Sequence, residues 1–353
     1  MDKLLKLKVS RRSVLQAGAV GAAMMAMPGV SFAEVKKVVI AVWGGPIADA
    51  LESIYGAAFA GSDIASIEMD KSGPEAAKVR AMVEVGNVTW DIGDLSIADC
   101  TLLGEAGMVR PMDYAIVPKD AVLPGMAYEY AVANYLFSSI ISYDKKALGG
   151  TGPTSWAEFW DVEKFPGKRT LRRHIEGVIE AAVQAGGVPV DKIYPIDEDL
   201  AFEKIKELLP HVIFWNSGSE SQQLMRDGEV VMGDLWSTRA TQLLKEDPER
   251  FALDFNGGLL LPGAWGVIAD NPAGDTAFQV VAKLLDPEIQ AKVFEATGLS
   301  PSNPAAEAFV PADLAAINPT SAANAARQQL VDVAWYTENQ ERVQTKFLEL
   351  ISG

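Results

Sequence analysis

The sequence is poor in cysteine and histidine, the residues that form disulfides and many metal centres. Among 353 residues it has one cysteine, Cys100, and two histidines, His174 and His211, which lie far apart in the chain. A lone cysteine cannot form an internal disulfide, and no cluster of cysteine and histidine is available to hold a structural zinc ion. We therefore expect no metal site and no cofactor.

Motifs of exported enzymes are also lacking. The chain contains no GxSxG nucleophile elbow, and neither histidine lies in a motif that marks a catalytic base. Because aspartate and glutamate are abundant, the sequence leaves open a hydrolase that uses paired carboxylates. A structural or adhesive protein is a third class, but the chain lacks internal repeats. We expect a binding protein and no enzyme, with an exported hydrolase as the alternative class.

Basic residues are outnumbered by acidic ones. The chain has 31 Lys and Arg against 47 Asp and Glu, for a net charge of −16 at pH 7. Nucleic acid is excluded as a partner on this ground, since its recognition needs positively charged surface. Beyond the N-terminal region, no apolar run is long enough to span a bilayer. These features predict a soluble protein.

The N-terminal segment has the features of an export signal. Lysines at 3, 6 and 8 precede SRRSVL at 10–15, an apolar run extends to Met27, and a small-x-small site ends at Ala33. This pattern predicts a signal peptide over 1–33, cleaved after Ala33. The paired arginines favour twin-arginine export, with a general secretory signal as the alternative. Cleavage removes five basic side chains and one acid, so the mature net charge becomes −20, and we expect a periplasmic protein.

The mature region alternates short apolar strands with amphipathic helices, which is typical of α/β layers. Strands are predicted over 37–42, 64–69, 90–95, 136–143, 212–215, 230–236 and 265–269. Helices are predicted over 47–59, 74–85, 176–185, 200–209, 238–245, 274–285, 287–297, 311–317 and 322–351, and only helices are expected after residue 269. A mature chain of 320 residues without a linker favours two lobes between which the backbone crosses more than once.

The segment from Thr151 to His174 combines features of a scaffold with features of a binding site. Ser155 and Glu158 have the spacing of a capping box and predict a short helix. A strand is then predicted at 170–171, and its carboxyl end carries Arg172, Arg173 and His174 in succession. Ligands of open α/β sheets usually bind at such strand ends.

Six stretches distributed over the mature chain match one family. They are WGG at 43–45, WDIGDL at 90–95, GMVRPMD at 107–113, SYDKKALGGTGPTSWAEFWDVEKFPGKR at 142–169, MRDGEVVMGDLWSTR at 225–239 and the single Trp265. Together they resemble the periplasmic solute-binding proteins of ABC importers, specifically the spermidine/putrescine-binding type. The resemblance covers essentially the whole mature chain, and PTSWAEFWDVEKFPGKR is its most specific part.

This resemblance implies a type II periplasmic binding protein, in which each lobe is a mixed sheet flanked by helices and a hinge lets the lobes close over a small-molecule ligand. Lobe 1 is expected over 34–137 plus 262–310, and lobe 2 over 138–261 plus 311–353. The protein is expected to be a monomer that delivers its ligand to an ABC transporter permease in the inner membrane, which recognises the closed form.

In the first lobe the resemblance places ligand contacts at the ends of two strands. Trp43 is an expected cleft residue, and Gly44 and Gly45 leave amides available at a helix N-terminus. The alternative is that the glycines form a tight turn and Trp43 packs in the core. Asp94 and Ser96 occupy the next expected position, where Asp94 is equally suited to cap a helix.

In the second lobe the candidates are Trp236 and Arg239, where a strand leads into a helix. Arg239 fits either a ligand clamp or a structural ion pair, because similar family members carry tryptophan and arginine there. Trp265 aligns with an aromatic cleft residue near a crossing strand, whose face suits an apolar or cationic ligand.

The chain departs from the family where polyamine binders place carboxylates. Gly263 and Ala264 stand where an aspartate is expected, and Arg172, Arg173 and His174 replace an acidic cluster. A buried cation needs a paired anion, whereas guanidinium groups pair with carboxylates. We therefore expect a small carboxylate or an amino-acid-like anion, with putrescine or spermidine as the alternative. The other interpretation of this cluster is a solvated surface with a histidine that is exposed or caps a helix.

Overall fold

The computed structural model of the protein describes residues 35–352. The predicted signal peptide and its cleavage site lie outside the described residues. Within the described range, no helix combines the length and the apolarity needed to cross a membrane.

Ten strands within residues 35–352 form one mixed sheet. They are β1 (Lys37–Ala41), β2 (Ser66–Asp70), β3 (Ile92–Ser96), β4 (Val132–Asp144), β5 (Arg169–Arg172), β6 (Val212–Trp215), β7 (Met232–Trp236), β8 (Phe251–Val267), β9 (Ser300–Pro301) and β10 (Gln329–Leu330). The main order is β2-β1-β3-β8-β4-β7-β5-β6.

Two sets of parallel strands are joined by two long antiparallel ones. In the first set β1 pairs with β2 and β3, and in the second β5 pairs with β6 and β7. Between the sets, β8 runs antiparallel to both β3 and β4, and β4 runs antiparallel to β7. The backbone therefore crosses from one set to the other along β4 and again along β8.

Helices cover the sheet. They are α1 (Pro46–Ala58), α2 (Ala76–Val85), α3 (Ile97–Glu105), α4 (Trp156–Trp160), α5 (Val178–Ala185), α6 (Glu198–Leu208), α7 (Gly218–Arg226), α8 (Ser237–Glu246), α9 (Thr276–Leu284), α10 (Pro287–Thr297), α11 (Ala322–Ala325) and α12 (Val333–Ser352). Short 3-10 helices lie at Lys119–Ala121, Val190–Lys192, Leu209–His211, Pro304–Phe309 and Ala312–Ile317.

Local sequence explains where these helices begin and end. In α1, Pro46 occupies the first turn, where its missing N–H is harmless, and Leu51 and Tyr55 lie four residues apart on the buried face. In α10 the Asp286 side chain accepts hydrogen bonds from the first-turn amides, and Gly298 ends the helix with a φ of 79°.

Two large clusters of buried apolar side chains flank the crossing strands. The first core contains residues of β1, α1, α9 and α10, among them Ile40, Leu51 and Phe278. The second core contains residues of α4, α5, α6 and α12, among them Phe159 and Phe347. Separate cores agree with the α/β organisation expected from the sequence, whereas the expected lobe boundaries stay a prediction.

The predicted scaffold of the 151–174 segment is confirmed. The Ser155 hydroxyl accepts a hydrogen bond from the Glu158 amide at 3.2 Å, α4 follows, and β5 includes the predicted strand residues. Among the other predicted elements, the βαβαβ order of the first segment is also confirmed.

Other predictions of secondary structure are wrong. The strand expected only from residue 265 begins at Phe251, because the glycine- and proline-containing sequence NGGLLLPG, which suggests a turn, forms part of a central strand. Helices α3 and α7 are not among the helices predicted from the sequence. The region after β8 is not purely helical, because β9 pairs with β4 and β10 with β8.

Candidate functional site

A cavity of about 560 Å³ opens at the carboxyl ends of the parallel strands. Its lining includes residues that follow β1 and β3 on one side and β5, β6 and β7 on the other. The middle of β8 and the beginning of α12 complete the wall, through residues such as Pro262 and Tyr336.

The structure brings eight of the eleven predicted site residues to this cavity. They are Trp43, Gly44, Asp94, Ser96, Arg172, His174, Trp236 and Arg239. The first four lie at the ends of strands of the first parallel set or directly after them, and the last four have the same position in the second set. A ligand in the cavity would therefore contact both sets.

The remaining three predicted residues lie elsewhere. Trp265 is 1 % exposed, belongs to the first core and packs edge-on against Tyr55, because it lies near the C-terminal end of β8 with its indole turned into that core. Arg173 is exposed and does not line the cavity, since successive side chains of an extended chain point to opposite faces. Gly45 caps α1 with a φ of 101° and is not in the lining.

Trp43 and the glycine after it form part of the first wall. Trp43 is 52 % exposed, and its indole N–H donates to the Asp94 carbonyl at 3.2 Å. A Cβ on Gly44 would lie 2.8 Å from the Lys71 carbonyl oxygen, so the close backbone approach requires glycine there. Trp43 is thus not a core residue, whereas the glycines do make the tight turn that the alternative interpretation described.

Asp94 is a buried carboxylate in the same wall. It is 4 % exposed and accepts hydrogen bonds from Asn134 Nδ2 at 2.9 Å and from the Tyr135 hydroxyl at 2.7 Å. Burial raises the pKa of Asp94 to about 6, although both hydrogen bonds act to lower it. No Lys or Arg within residues 35–352 forms an ion pair with it.

Asp94 does not cap a helix. That role belongs to Ser96, whose hydroxyl accepts from the Asp99 amide at 3.0 Å at the start of α3. The cap fixes the end of β3 and leaves the Asp94 carboxylate in the cavity wall.

In the opposite wall, Arg172 is already paired. Its Nη1 lies 2.9 Å from Glu176 Oε2, and its guanidinium stands over the rings of Trp236, at 5.0 Å, and Trp215, at 5.9 Å. Its positive charge is therefore balanced within the protein.

His174 contributes no positive charge at neutral pH. Burial, assisted by the charge of Arg172, lowers the pKa of His174 to about 3. Its Nδ1 accepts a hydrogen bond from the Glu176 amide at 3.2 Å, which requires an unprotonated nitrogen. The histidine thus orders the loop that carries Glu176.

Arg239 differs from these residues because it lacks a counter-ion. It lies in the first turn of α8, is 8 % exposed, and makes no ion pair or hydrogen bond with any described side chain or backbone group. Burial and the charge of Arg226 lower the pKa of Arg239, but a guanidinium remains protonated in proteins. A buried, unpaired cation in a cavity wall is a strong site for an anion.

The N-terminus of α7 lies directly beside Arg239. A Cβ on Gly218 would be 2.6 Å from Arg239 Nε and 3.0 Å from Trp236 Cε3, so glycine allows this close packing. Ser217 caps the helix by accepting from the Glu220 amide at 3.2 Å. The first-turn amides and the helix dipole add positive potential next to the guanidinium.

The sequence reasoning missed several lining residues. They are Asn216, Ser217, Gly218 and Ser219 at the start of α7, Tyr135 and Phe137 in β4, and Tyr336 and Gln340 in α12. The residues at the start of α7 could have been found from the sequence, because NSGSE follows a predicted strand and contains a capping box. The residues of β4 and α12 could not, since they reach the cavity only through tertiary packing. Among the residues described, no group of three or more His, Cys, Asp or Glu is placed to hold a metal ion.

Known proteins match this chain at the level of sequence and of fold. Residues 53–327 match the family model of bacterial extracellular solute-binding proteins. Over 329 residues the chain is 29 % identical to the gamma-aminobutyric acid-binding protein of Pseudomonas aeruginosa, covering 92 % of this chain and 93 % of that protein. It is 24 % identical over 188 residues to the spermidine/putrescine-binding periplasmic protein of Salmonella typhimurium, covering 53 % of each chain.

A solved structure shows the same architecture. The periplasmic binding protein of A. tumefaciens B6 in complex with glucopine is 32 % identical and superimposes with a TM-score of 0.81, covering 89 % of this chain and 99 % of that one. The two-lobed α/β fold expected from the sequence is thereby confirmed.

Proposed function

Because the chain belongs to the family of bacterial extracellular solute-binding proteins, we propose that its cavity binds a small amino-acid-like ligand through the ligand's carboxylate. The family resemblance seen in the sequence is confirmed, and members of this family are substrate-binding components of ABC importers rather than enzymes. They bind small ligands and deliver them to a permease. The single observation that carries the proposed ligand class is the buried guanidinium of Arg239, which lacks a counter-ion within residues 35–352.

Arg239 and the start of α7 form the carboxylate end of the site. The guanidinium offers a planar fork to two carboxylate oxygens, and the neighbouring α7 amides offer further donors. Each charge-assisted hydrogen bond contributes about 1.5–3 kcal/mol.

Asp94 supplies the opposite end. It is a buried carboxylate without a cationic partner among the described residues, and it lies in the wall formed by the first parallel set. An ammonium group on the ligand would form an ion pair with Asp94, as the ligand's carboxylate would with Arg239. Unpaired charges of both signs favour a zwitterion, of which gamma-aminobutyric acid, the ligand in the name of the Pseudomonas aeruginosa relative, is a simple example.

Binding at both ends would couple the ligand to closure. Arg239 belongs to the segment 138–261 and Asp94 to the segment 34–137, which are the predicted lobes 2 and 1. A ligand that contacts both favours the closed form by its greater affinity for that form. We further propose twin-arginine export with cleavage after Ala33, and action as a monomer in the periplasm.

Polyamine binding is the second candidate, and specific features favour it. Three acidic residues, Asp94, Asp99 and Glu176, line the cavity together with the rings of Trp43 and Trp236. However, Glu176 is paired with Arg172 and Asp99 hydrogen-bonds Ser96 at 2.8 Å. Asp94 and Asp99 are left without a cationic partner among the described residues, but the unpaired guanidinium of Arg239 would repel a ligand with two or more ammonium groups.

Calorimetry with mature protein (residues 34–353) tests the proposal. We expect saturable binding of gamma-aminobutyric acid and weaker binding of butyrate, which lacks the ammonium group. Putrescine and spermidine are expected to give no heat beyond dilution. Micromolar binding of either polyamine with silence toward both carboxylates would overturn the proposed ligand class. Native mass spectrometry of the purified protein provides an independent answer through the mass of any retained ligand.

A further inference from the structure

The cavity wall contains two arginines in contrasting states. Arg172 has an acidic partner in the cavity itself, since Glu176 also lines it, and the side chains of this pair are 22 % and 23 % exposed. Arg239 has no such partner among the described residues. The guanidinium of Arg172 stands over the ring of Trp236, and a Cβ on Gly218 would meet both Arg239 and Trp236. Two guanidinium groups are therefore present on one wall, but only one is available to a ligand.

Glu176 is held firmly beside Arg172. Its amide donates to His174 Nδ1, and the amide of the preceding Ile175 donates to Gln344 Oε1 in α12 at 2.9 Å. The following residue, Gly177, donates its amide to Glu180 Oε2 at 2.9 Å and begins α5 with a φ of 89°. The loop thus fixes the Glu176 carboxylate near the positive end of α5, where its charge is further stabilised.

We infer that Glu176 is a built-in carboxylate that occupies Arg172 and thereby restricts the cavity to ligands with one carboxylate. This inference rests on the proposed function for the identity of the site. A dicarboxylate that placed one end on Arg239 would bring its second carboxylate toward the Arg172–Glu176 pair. There it would meet a guanidinium that is already neutralised and a carboxylate of like charge, so the second end would remain unpaired.

Glu176→Gln tests this inference, because it keeps the shape of the side chain and removes its charge. We expect mature E176Q protein to bind at least one of succinate, glutarate and adipate tenfold or more tightly than the wild type, by calorimetry at pH 7. The three chain lengths allow for the spacing of the two guanidinium groups. Adding Arg172→Gln to E176Q is expected to abolish the gain, because the second carboxylate then has no partner.

Two further variants keep the test decisive. Glu163→Gln makes the same change of net charge at an exposed position outside the cavity and is expected to leave dicarboxylate affinity at the wild-type level. Glu176→Ala provides a second removal of the carboxylate if E176Q does not fold, and circular dichroism verifies the fold of each variant.

The outcomes distinguish the inference from the proposed function. Wild-type protein that fails to bind gamma-aminobutyric acid contradicts the proposed ligand, whereas a dicarboxylate gain in E176Q that depends on Arg172 supports the inference in either case. Dicarboxylate affinities of E176Q and Glu176→Ala that stay within threefold of wild type overturn it. Equally tight binding of succinate, glutarate or adipate by the wild type also overturns it.

Discussion

The second wall of the cavity contains two cationic regions that differ in how their charge is balanced. The loop 172–176 begins with three consecutive potential cations, yet Arg172 is paired with Glu176, Arg173 points away from the cavity, and His174 is neutral because burial lowers its pKa to about 3. The start of α8 has one arginine in the cavity, Arg239, and it has no counter-ion within the described part of the chain.

This difference shows that the number of cations in a segment does not measure its capacity to bind an anion. What matters is whether a buried charge already has a partner, because an unpaired one gains most from a ligand. The anionic ligand class that the sequence suggested therefore stays a proposal, and its main support moves from Arg172, Arg173 and His174 to Arg239.

The largest expected effect comes from neutralising the unpaired cation. Arg239→Gln should weaken binding of gamma-aminobutyric acid about a hundredfold, or about 2.8 kcal/mol, because the ligand carboxylate loses its charged partner. The free energy of unfolding, from urea titration, should stay the same or rise, since a buried charge without a partner is removed.

Arg173→Gln is the matched control for this variant. It makes the same chemical change at an exposed arginine and should keep affinity within twofold of wild type. A large loss of stability in Arg239→Gln, with affinity unchanged, would instead identify Arg239 as a structural ion-pair residue.

A smaller effect is expected at the opposite end of the ligand. Asp94→Asn should weaken binding of gamma-aminobutyric acid about tenfold to thirtyfold, because the ammonium group loses its counter-ion while the hydrogen bonds of Asn134 and Tyr135 can re-form. Butyrate lacks the ammonium group, so its affinity should change by less than threefold. Equal losses for the two ligands, measured by calorimetry, would remove Asp94 from the ammonium site.

The same residue predicts a dependence of binding on pH. Burial raises the pKa of Asp94 to about 6, so the carboxylate is increasingly protonated as the pH falls from 7 to 5. The preference for gamma-aminobutyric acid over butyrate should therefore decline over this range in wild-type protein and stay flat in Asp94→Asn.

The smallest effect on binding is expected at His174, whose main role is in stability. Its pKa is about 3 in the folded state against 6.5 for the ordinary side chain, so the unfolded chain binds the proton more readily. The stability that the neutral histidine contributes is complete above about pH 6.5 and is lost as the pH falls toward 3. His174→Asn should show a shallower loss of unfolding free energy between pH 7 and pH 4 in urea titrations, and an unchanged slope would mean that His174 is not buried in its neutral form.

Much of the fold could be predicted from the sequence, because local patterns determine it. The capping box at Ser155 and the alternation of strands and helices up to residue 96 needed no tertiary information. The central strand β8 could not be predicted in this way, since its glycines and proline are tolerated only through pairing with β3 and β4.

The candidate site could be predicted from the sequence only in part. Residues at strand ends, such as Asp94 and Trp236, were found because the topology of α/β sheets places ligands there. The pairing state of Arg172 and Arg239 could not be read from the sequence. The pairing of Arg172 depends on where the loop places Glu176. The surroundings of Arg239 depend on the close packing of α7 and α8 at Gly218.

The central claim is that Arg239, rather than Arg172, receives the ligand carboxylate. A crystal structure of the mature protein with gamma-aminobutyric acid tests it most directly. We predict carboxylate oxygens about 2.7–2.9 Å from the Arg239 guanidinium nitrogens, with the Arg172–Glu176 pair intact. A carboxylate bound to Arg172 with Glu176 displaced, or an ammonium group beside Arg172 and Glu176 with Arg239 unoccupied, would contradict the account.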